Sequence, residues 1–335
     1  MSGVVSSLVA ALERDGIPFC QWKGAAALEP ALRGERDLDG LVPGAAWPRA
    51  LAAIEGAGWK RARSRFGAEP RGVAHFFGFE PEAERLLHLH LHDSVLSGED
   101  WINSHALPFE ADLLASPRRV HGVRVPEPAV EAALAVLKHA IRWGSLPDRV
   151  TAWLRPKNES AELRALLAEP TLAEAAALVR ERVPALDEAS FRACAAVLRG
   201  ERAGASRWRL AARVRRALRP FCRYSRGARL AAYGRLALAR LRRALDRNRR
   251  DRVPERGPTC LLLVAPDAAR AERAAAELEA WLAPAFRTER RALASGEARL
   301  CIGEEADARA RAHRIDLAAL GSAPAALRSA VWSLL

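Results

Sequence analysis

Asp37 and Asp39, separated by Leu38 and followed by Gly40-Leu41-Val42, are the residues whose type and spacing point most directly to chemistry. The apolar flank predicts a strand. Successive strand side chains leave on opposite faces, so the two carboxylates would project together while Leu38 packs behind them. Paired hard oxygens on one face are how a protein presents ligands to a magnesium ion, with manganese as the alternative. A second strand pattern, LLHLHLHD, places His88, His90 and His92 on one face and Leu87, Leu89 and Leu91 on the other. Imidazole can ligate a divalent metal or donate to a phosphate oxygen, and it favours borderline metals over magnesium. His90 and His88 are therefore candidate additional ligands. The alternative is that these histidines are solvated or hydrogen-bonded strand residues.

The elements that must position these groups are legible from periodicity. Val4, Val5, Leu8, Val9 and Leu12 predict an amphipathic first helix ending near Gly16. An apolar run with β character, Ile17 to Trp22, leads through a Lys23-Gly24 turn into a short helical pattern, Ala25 to Leu32. A helix from Trp47 to Gly56 and strands at Trp59 to Phe66, Ala74 to Phe79 and Leu86 to Leu91 follow, the last two joined by an acidic turn, Glu80 to Glu84. Arg118 to Val125 reads as a small hairpin turning at His121-Gly122. From Glu127 the pattern is helical, with Val130, Leu134, Leu137 and Ile141 on one stripe and Lys138 at its edge. Lys138 reads as a helix-surface residue with a buried stem, or as a lysine within reach of a phosphate. Arg149 to Leu198 reads as short helices broken at Pro156, Pro170 and Pro184, without evident chemistry.

The charge is uneven. The net +13 of the chain is concentrated between Arg202 and Arg256, where 19 arginines and no lysine face three acids, a local +16 that leaves −3 elsewhere. These arginines fall on amphipathic helices, one striped by Leu210, Val214, Leu218 and Phe221, the next by Leu230, Tyr233, Ala237, Leu241 and Leu245. Such faces bind an anionic membrane surface or nucleic acid, or remain solvated while the apolar side packs inward. The five cysteines are scattered singly, which argues against a disulfide framework and a cysteine zinc site and suggests a cytoplasmic protein, peripheral to the membrane if the basic helices engage it. The N-terminus lacks the basic start of a signal peptide, and no apolar run is long enough to span a bilayer.

Strand, Lys23-Gly24 turn, helix and D-x-D strand together resemble the signature of the polymerase-beta-type nucleotidyltransferase superfamily. WKG followed by RDLDGLV, Gly98 after the histidine strand, and VRVPEPAVEAAL are similar to bacterial nucleotidyltransferase-like proteins associated with polysaccharide biosynthesis. The resemblance implies an α/β nucleotidyltransferase fold, a mixed sheet with helices. It implies that Lys23 and Gly24 approach a nucleoside triphosphate, that Asp37 and Asp39 hold Mg2+ or Mn2+, and that a nucleotidyl group passes to an acceptor the sequence does not identify. The His88–His92 strand stands where that superfamily commonly carries a third carboxylate. The other reading is a non-catalytic scaffold or polyanion-binding protein that keeps the fold.

Past Thr259, CLLLV, a turn at Ala265-Pro266-Asp267 and a helical stretch to Leu282 resemble the phosphate loop of a thymidylate kinase-like domain. Ala265, Ala268 and Arg270 stand at its glycine positions, Ala271 at the lysine and Glu272-Arg273 at the Ser-Thr pair. The elements that would bind phosphate are absent, so this part is expected to be a degenerate remnant. The expected organisation is a nucleotidyltransferase-like domain (1–145), a helical extension carrying the arginine-rich segment (146–256) and a small C-terminal α/β remnant (257–335).

Overall fold

Val5, Leu8, Val9 and Leu12 bury one face of helix α1 (Gly3–Arg14), and the chain leaves it through Gly16 in the left-handed region, φ +65°. The computed structural model describes residues 3–66, 70–98, 102–145, 161–201, 207–245, 252–292, 297–303, 311–320 and 324–335. After α1 come β1 (Cys20–Gln21), a 3-10 turn at Ala25–Ala27, α2 (Leu28–Leu32), β2 (Leu38–Leu41), α3 (Trp47–Gly56), β3 (Lys60–Ser64), β4 (Val73–Glu80) and β5 (Arg85–His92). Short ladders follow: β6 (Leu96–Ser97) with β7 (His105–Ala106) and, after α4 (Glu110–Ala115), β8 (Arg119–Val120) with β9 (Val123–Arg124). Helices α5 (Pro128–Trp143), α6 (Ala161–Leu166), α7 (Glu169–Arg182), α8 (Glu188–Leu198), α9 (Arg207–Ala217) and α10 (Arg226–Leu245) lead to β10 (Arg252–Pro254). The chain closes with β11 (Thr259–Val264), α11 (Ala268–Leu282), β12 (Thr288–Ala292), β13 (Glu297–Ile302), β14 (Arg311–Asp316) and α12 (Pro324–Leu334).

The architecture is mixed α/β. Six strands form one sheet in the order β1-β2-β5-β4-β3-β10, in which β2 and β5 run parallel and the other pairs are antiparallel. Alternation along β5 decides the two faces. Leu87, Leu89 and Leu91 point into a core shared with α1 and α3, where each buried leucine contributes about 1.5–3 kcal/mol. His88, His90 and His92 point the other way. Gly40 is required on β2 because a Cβ there would collide with the Phe19 ring. Asp37 lies one residue before the strand, after the turn that closes α2, and Asp39 lies within it.

The histidine face is covered at its two ends by different units. At one end Leu41 and Cys20 pack under α5 and the helices behind it. At the other, Ala62, Phe77 and Phe79 share a core with Leu261, Leu263, Phe286 and Leu300 of the second sheet, whose order is β12-β13-β11-β14. The Asp and His side chains lie between these covers. β10, from the segment expected to be a helical extension, adds a strand to the edge of the first sheet.

Three readings of the sequence need correction. Cys260 and Cys301 form a disulfide, because the antiparallel β11–β13 register sets them directly opposite each other although 41 residues apart in sequence. Spacing along the chain could not reveal this. Cys20, Cys194 and Cys222 lie outside the disulfide, the first two buried and the third exposed. The inference of a reducing compartment from unpaired cysteines therefore loses its basis. The break expected at Pro170 falls between α6, which ends at Leu166, and α7, whose first turn Pro170 occupies because its missing N–H has no helical partner to lose there. The run from Ile17 to Trp22 contributes only Cys20 and Gln21 to the sheet. Pro156 lies outside the described residues. Among the described residues no helix is long and apolar enough to cross a membrane.

Candidate active site

The parallel β2–β5 register pairs Asp39 with His90, so both side chains emerge on one face. Asp39 Oδ1 accepts from the Lys23 ammonium at 2.6 Å and lies 3.5 Å from His90 Nδ1 and 3.7 Å from His92 Nε2. Asp37 Oδ1 accepts from His88 Nδ1 at 2.8 Å, and its other oxygen is 3.4 Å from His90 Nε2. His75, which β4 places across from His90, brings its Nδ1 to 3.2 Å from His88 Nε2. Donation from His88 Nδ1 to the carboxylate leaves His88 Nε2 to accept from His75 Nδ1, giving a carboxylate–imidazole–imidazole chain. Arg252 Nη2, from β10, stands 3.5 Å from the same His75 nitrogen.

Burial dominates the electrostatics. It disfavours the charged imidazole and, with the neighbouring His90 and Arg252, holds His75 down to about 2. His88 is held at about 4, burial outweighing its hydrogen bond to Asp37, and His92 is lowered for the same first reason. The carboxylates go the other way. Burial would raise Asp39, but His90, His92 and Lys23 outweigh it and keep the group far below the usual carboxylate range. Asp37 is lowered despite its burial by the His88 hydrogen bond and by His90. At neutral pH the face thus presents two carboxylates and, at His75, His88 and His92, neutral imidazoles.

Two sets of ligand atoms each lie within 4.8 Å of one another: His75, His88 and His90, and Asp39, His90 and His92. His90 Nε2 and both ring nitrogens of His92 are buried without a hydrogen-bond partner. One carboxylate with two such imidazoles fits a divalent ion, and the nitrogen content matches manganese better than magnesium.

Beside this cluster run two clefts of about 460 and 450 Å³ that share Lys23, Ala27, Arg36 and Lys138 as lining. The second contains Asp37 and Asp39, and Arg118 and Glu131 line the first. Gly24 sits at φ +101°, which a side chain would strain, and a Cβ there would meet Glu131 Oε1. Glu131, in the first turn of α5, accepts from the Ala25 N–H at 3.4 Å, and burial raises its pKa against the help of that hydrogen bond and Arg118.

The structure thus brings Lys23, Gly24, Asp37, Asp39, His88 and His90 into one neighbourhood. Sequence reasoning did not single out His75, Arg36, Arg118 or Glu131, and it read Lys138 mainly as a surface residue. A signal existed for His75: the turn after Glu80 pairs that residue with Arg85, a register that sets position 75 opposite 90. In the C-terminal sheet, Asp267 caps α11 by accepting from Arg270 N–H at 2.7 Å. A side-chain carboxylate therefore occupies the helix end where a phosphate would bind. No protein-family model, curated protein or solved structure matches the chain.

Proposed function

We propose that the chain has a nucleotidyltransferase fold of the polymerase-beta type and transfers a nucleotidyl group from a nucleoside triphosphate to an acceptor. The observation that carries this reading is the meeting of Asp37 and Asp39 with Lys23 in a cleft also lined by Arg36 and Lys138. The motif resemblance supports it, and extends it to polysaccharide biosynthesis. Asp39 with His90 and His92, and Asp37 from the same cleft, would hold Mg2+ or Mn2+, whereas both ring nitrogens of His88 are engaged by Asp37 and His75. Such an ion supplies positive charge to the reacting phosphate and orients its oxygens.

The chain's own residues do the rest. Lys23, Arg36 and Lys138 attract and orient the phosphate chain, and Arg118 extends that positive lining into the neighbouring cleft. Gly24 lets the phosphates approach the backbone, where the Ala25 N–H can donate once Glu131 withdraws. Lys23 is poised to exchange its Asp39 partner for a phosphate oxygen.

A second reading has its own observation. Lys23 neutralises Asp39 and Glu131 fills the space beside Gly24, so the site is satisfied by its own side chains, as a non-catalytic scaffold would be. Incubation with each of the four nucleoside triphosphates, in Mg2+ and in Mn2+, separates the two. Release of pyrophosphate, or nucleotidylation of the protein itself, that is absent from Asp39→Asn supports the enzyme. Failure of the wild type to bind any metal–nucleotide complex supports the scaffold.

A further inference from the structure

The large apolar side chains that are exposed among the described residues are Trp208, Leu230, Leu238, Leu241 and Leu245, and all five belong to the arginine-rich segment. Four are on α10. Leu230 is 74% exposed, Leu238 47%, Leu241 55% and Leu245 75%, whereas the buried residues of this helix are the small Ala232 and Ala239. The neighbouring α9 behaves differently: its Leu210 and Val214, with Leu218 just past its end, are buried in the helical core. Of the two amphipathic helices, one has spent its apolar stripe on the fold and the other turns it outward.

At about 100° per residue the four leucines fall within an arc of about 80°, with Gly234 inside it and Ala237 at its margin. Arg235 and Arg242 border the arc on one side and Arg240 and Arg229 on the other, and the helix has no acidic residue. The 20 residues make a rod of about 30 Å. We infer that α10 is a docking helix for an anionic lipid surface, its leucines entering the acyl boundary while the bordering arginines meet the lipid phosphates.

Charge and chemistry together select this occupant. A nucleic acid would satisfy the arginines and leave four leucines in water. A single strand also stacks its bases on aromatic rings, whereas Tyr233 is the sole aromatic residue on this helix. A second copy of the chain would cover the leucines but would bring six more arginines and no acid against the first six. An anionic bilayer meets both demands, as interfacial amphipathic helices do. This inference is independent of the nucleotidyltransferase reading and survives if that reading fails.

The test uses the full chain and sedimentable vesicles of phosphatidylcholine, with and without phosphatidylglycerol. Wild type is expected to sediment with the anionic vesicles and to remain free of neutral ones. Leu241→Gln/Leu245→Gln alters two exposed positions, so the fold should be kept, as circular dichroism would verify. Each leucine lost should weaken anionic-vesicle binding about tenfold. Each of Arg235→Gln and Arg242→Gln should weaken it about fivefold. The same leucine variant should bind duplex DNA, at low salt, no worse than wild type. The proposal is overturned if wild type ignores anionic vesicles, or if the leucine variant binds them as tightly as wild type. It is also overturned if wild type is a dimer that the leucine substitutions dissociate, because the face would then be covered by a second copy.

Discussion

Lowering the pH from about 7 to about 4.5 should destabilise this protein through His75, His88, His92 and His105, which burial keeps neutral. A group whose folded pKa lies below its unfolded value binds more protons when unfolded, so stability is lost as the pH falls below the unfolded value. His88 is held at about 4 and His75 at about 2, against 6.5 for an ordinary histidine. At about 1.4 kcal/mol per pH unit the interval costs roughly 2–3 kcal/mol for each. They share a hydrogen bond, so about 6 kcal/mol is the upper bound for the pair, a large part of the stability of a typical domain. Asp37 and Asp39 have lowered pKa values and lose their contribution only below the ordinary carboxylate range, outside this interval. Glu131, with a raised value, acts in the opposite sense, so a difference between variants is needed. Urea unfolding across the pH series, for wild type and His88→Asn, provides it. Asn retains a donor for Asp37 and does not titrate, so it should remove the His88 share of the slope and leave that of His75, His92 and His105. A wild-type loss below about 1 kcal/mol, or an unchanged slope in the variant, would refute the claim that buried neutral imidazoles line the site.

Three further outcomes follow from the same geometry. Gly24→Ala should cost about 1–3 kcal/mol in urea unfolding, because a Cβ is strained at φ +101° and strikes Glu131. It should also weaken metal–nucleotide binding, whereas a cost near zero would mean that the turn is pliable. Glu131→Gln removes a buried charge beside Gly24. It should stabilise the protein at neutral pH but not below the raised Glu131 pKa, and it should tighten nucleotide binding in titration calorimetry, since a neutral amide competes less with phosphate. Reduction of Cys260–Cys301, which bridges residues 41 apart, should lower stability by about 2–4 kcal/mol in unfolding with and without reductant.

What could be read from the sequence was what is local and periodic. The 3.6-residue recurrence of Val5, Leu8, Val9 and Leu12 located α1, and the two-residue alternation of β5 assigned its histidines to one face and its leucines to the other. The D-x-D spacing placed Asp39 on the histidine face, where β2 pairs it with His90, and left Asp37 one residue before the strand in the same cleft. What escaped depends on distant docking. Glu131 reaches Gly24 across 107 positions because α5 packs on the sheet, and nothing in its local pattern marks it. Cys260 meets Cys301 through a strand register that single spacings do not encode. The two basic helices have similar patterns, and only tertiary packing distinguishes α9, whose Leu210 and Val214 are buried, from α10, whose Leu230, Leu238, Leu241 and Leu245 are exposed.

The central claim, that Asp37 and Asp39 hold a divalent ion beside a triphosphate seat formed by Lys23 and Gly24, is tested most directly by Mn2+ binding. Electron paramagnetic resonance can count free Mn2+ during titration of wild type and the Asp37→Asn/Asp39→Asn variant, with and without a non-hydrolysable nucleoside triphosphate. Wild type is expected to bind Mn2+ more tightly with the nucleotide present, because each ligand supplies part of the other's coordination. The variant should bind at least about tenfold more weakly in both conditions, two anionic ligands having been lost while the folded structure persists. Equal Mn2+ affinity in wild type and variant, whether nucleotide is present or not, would contradict the account.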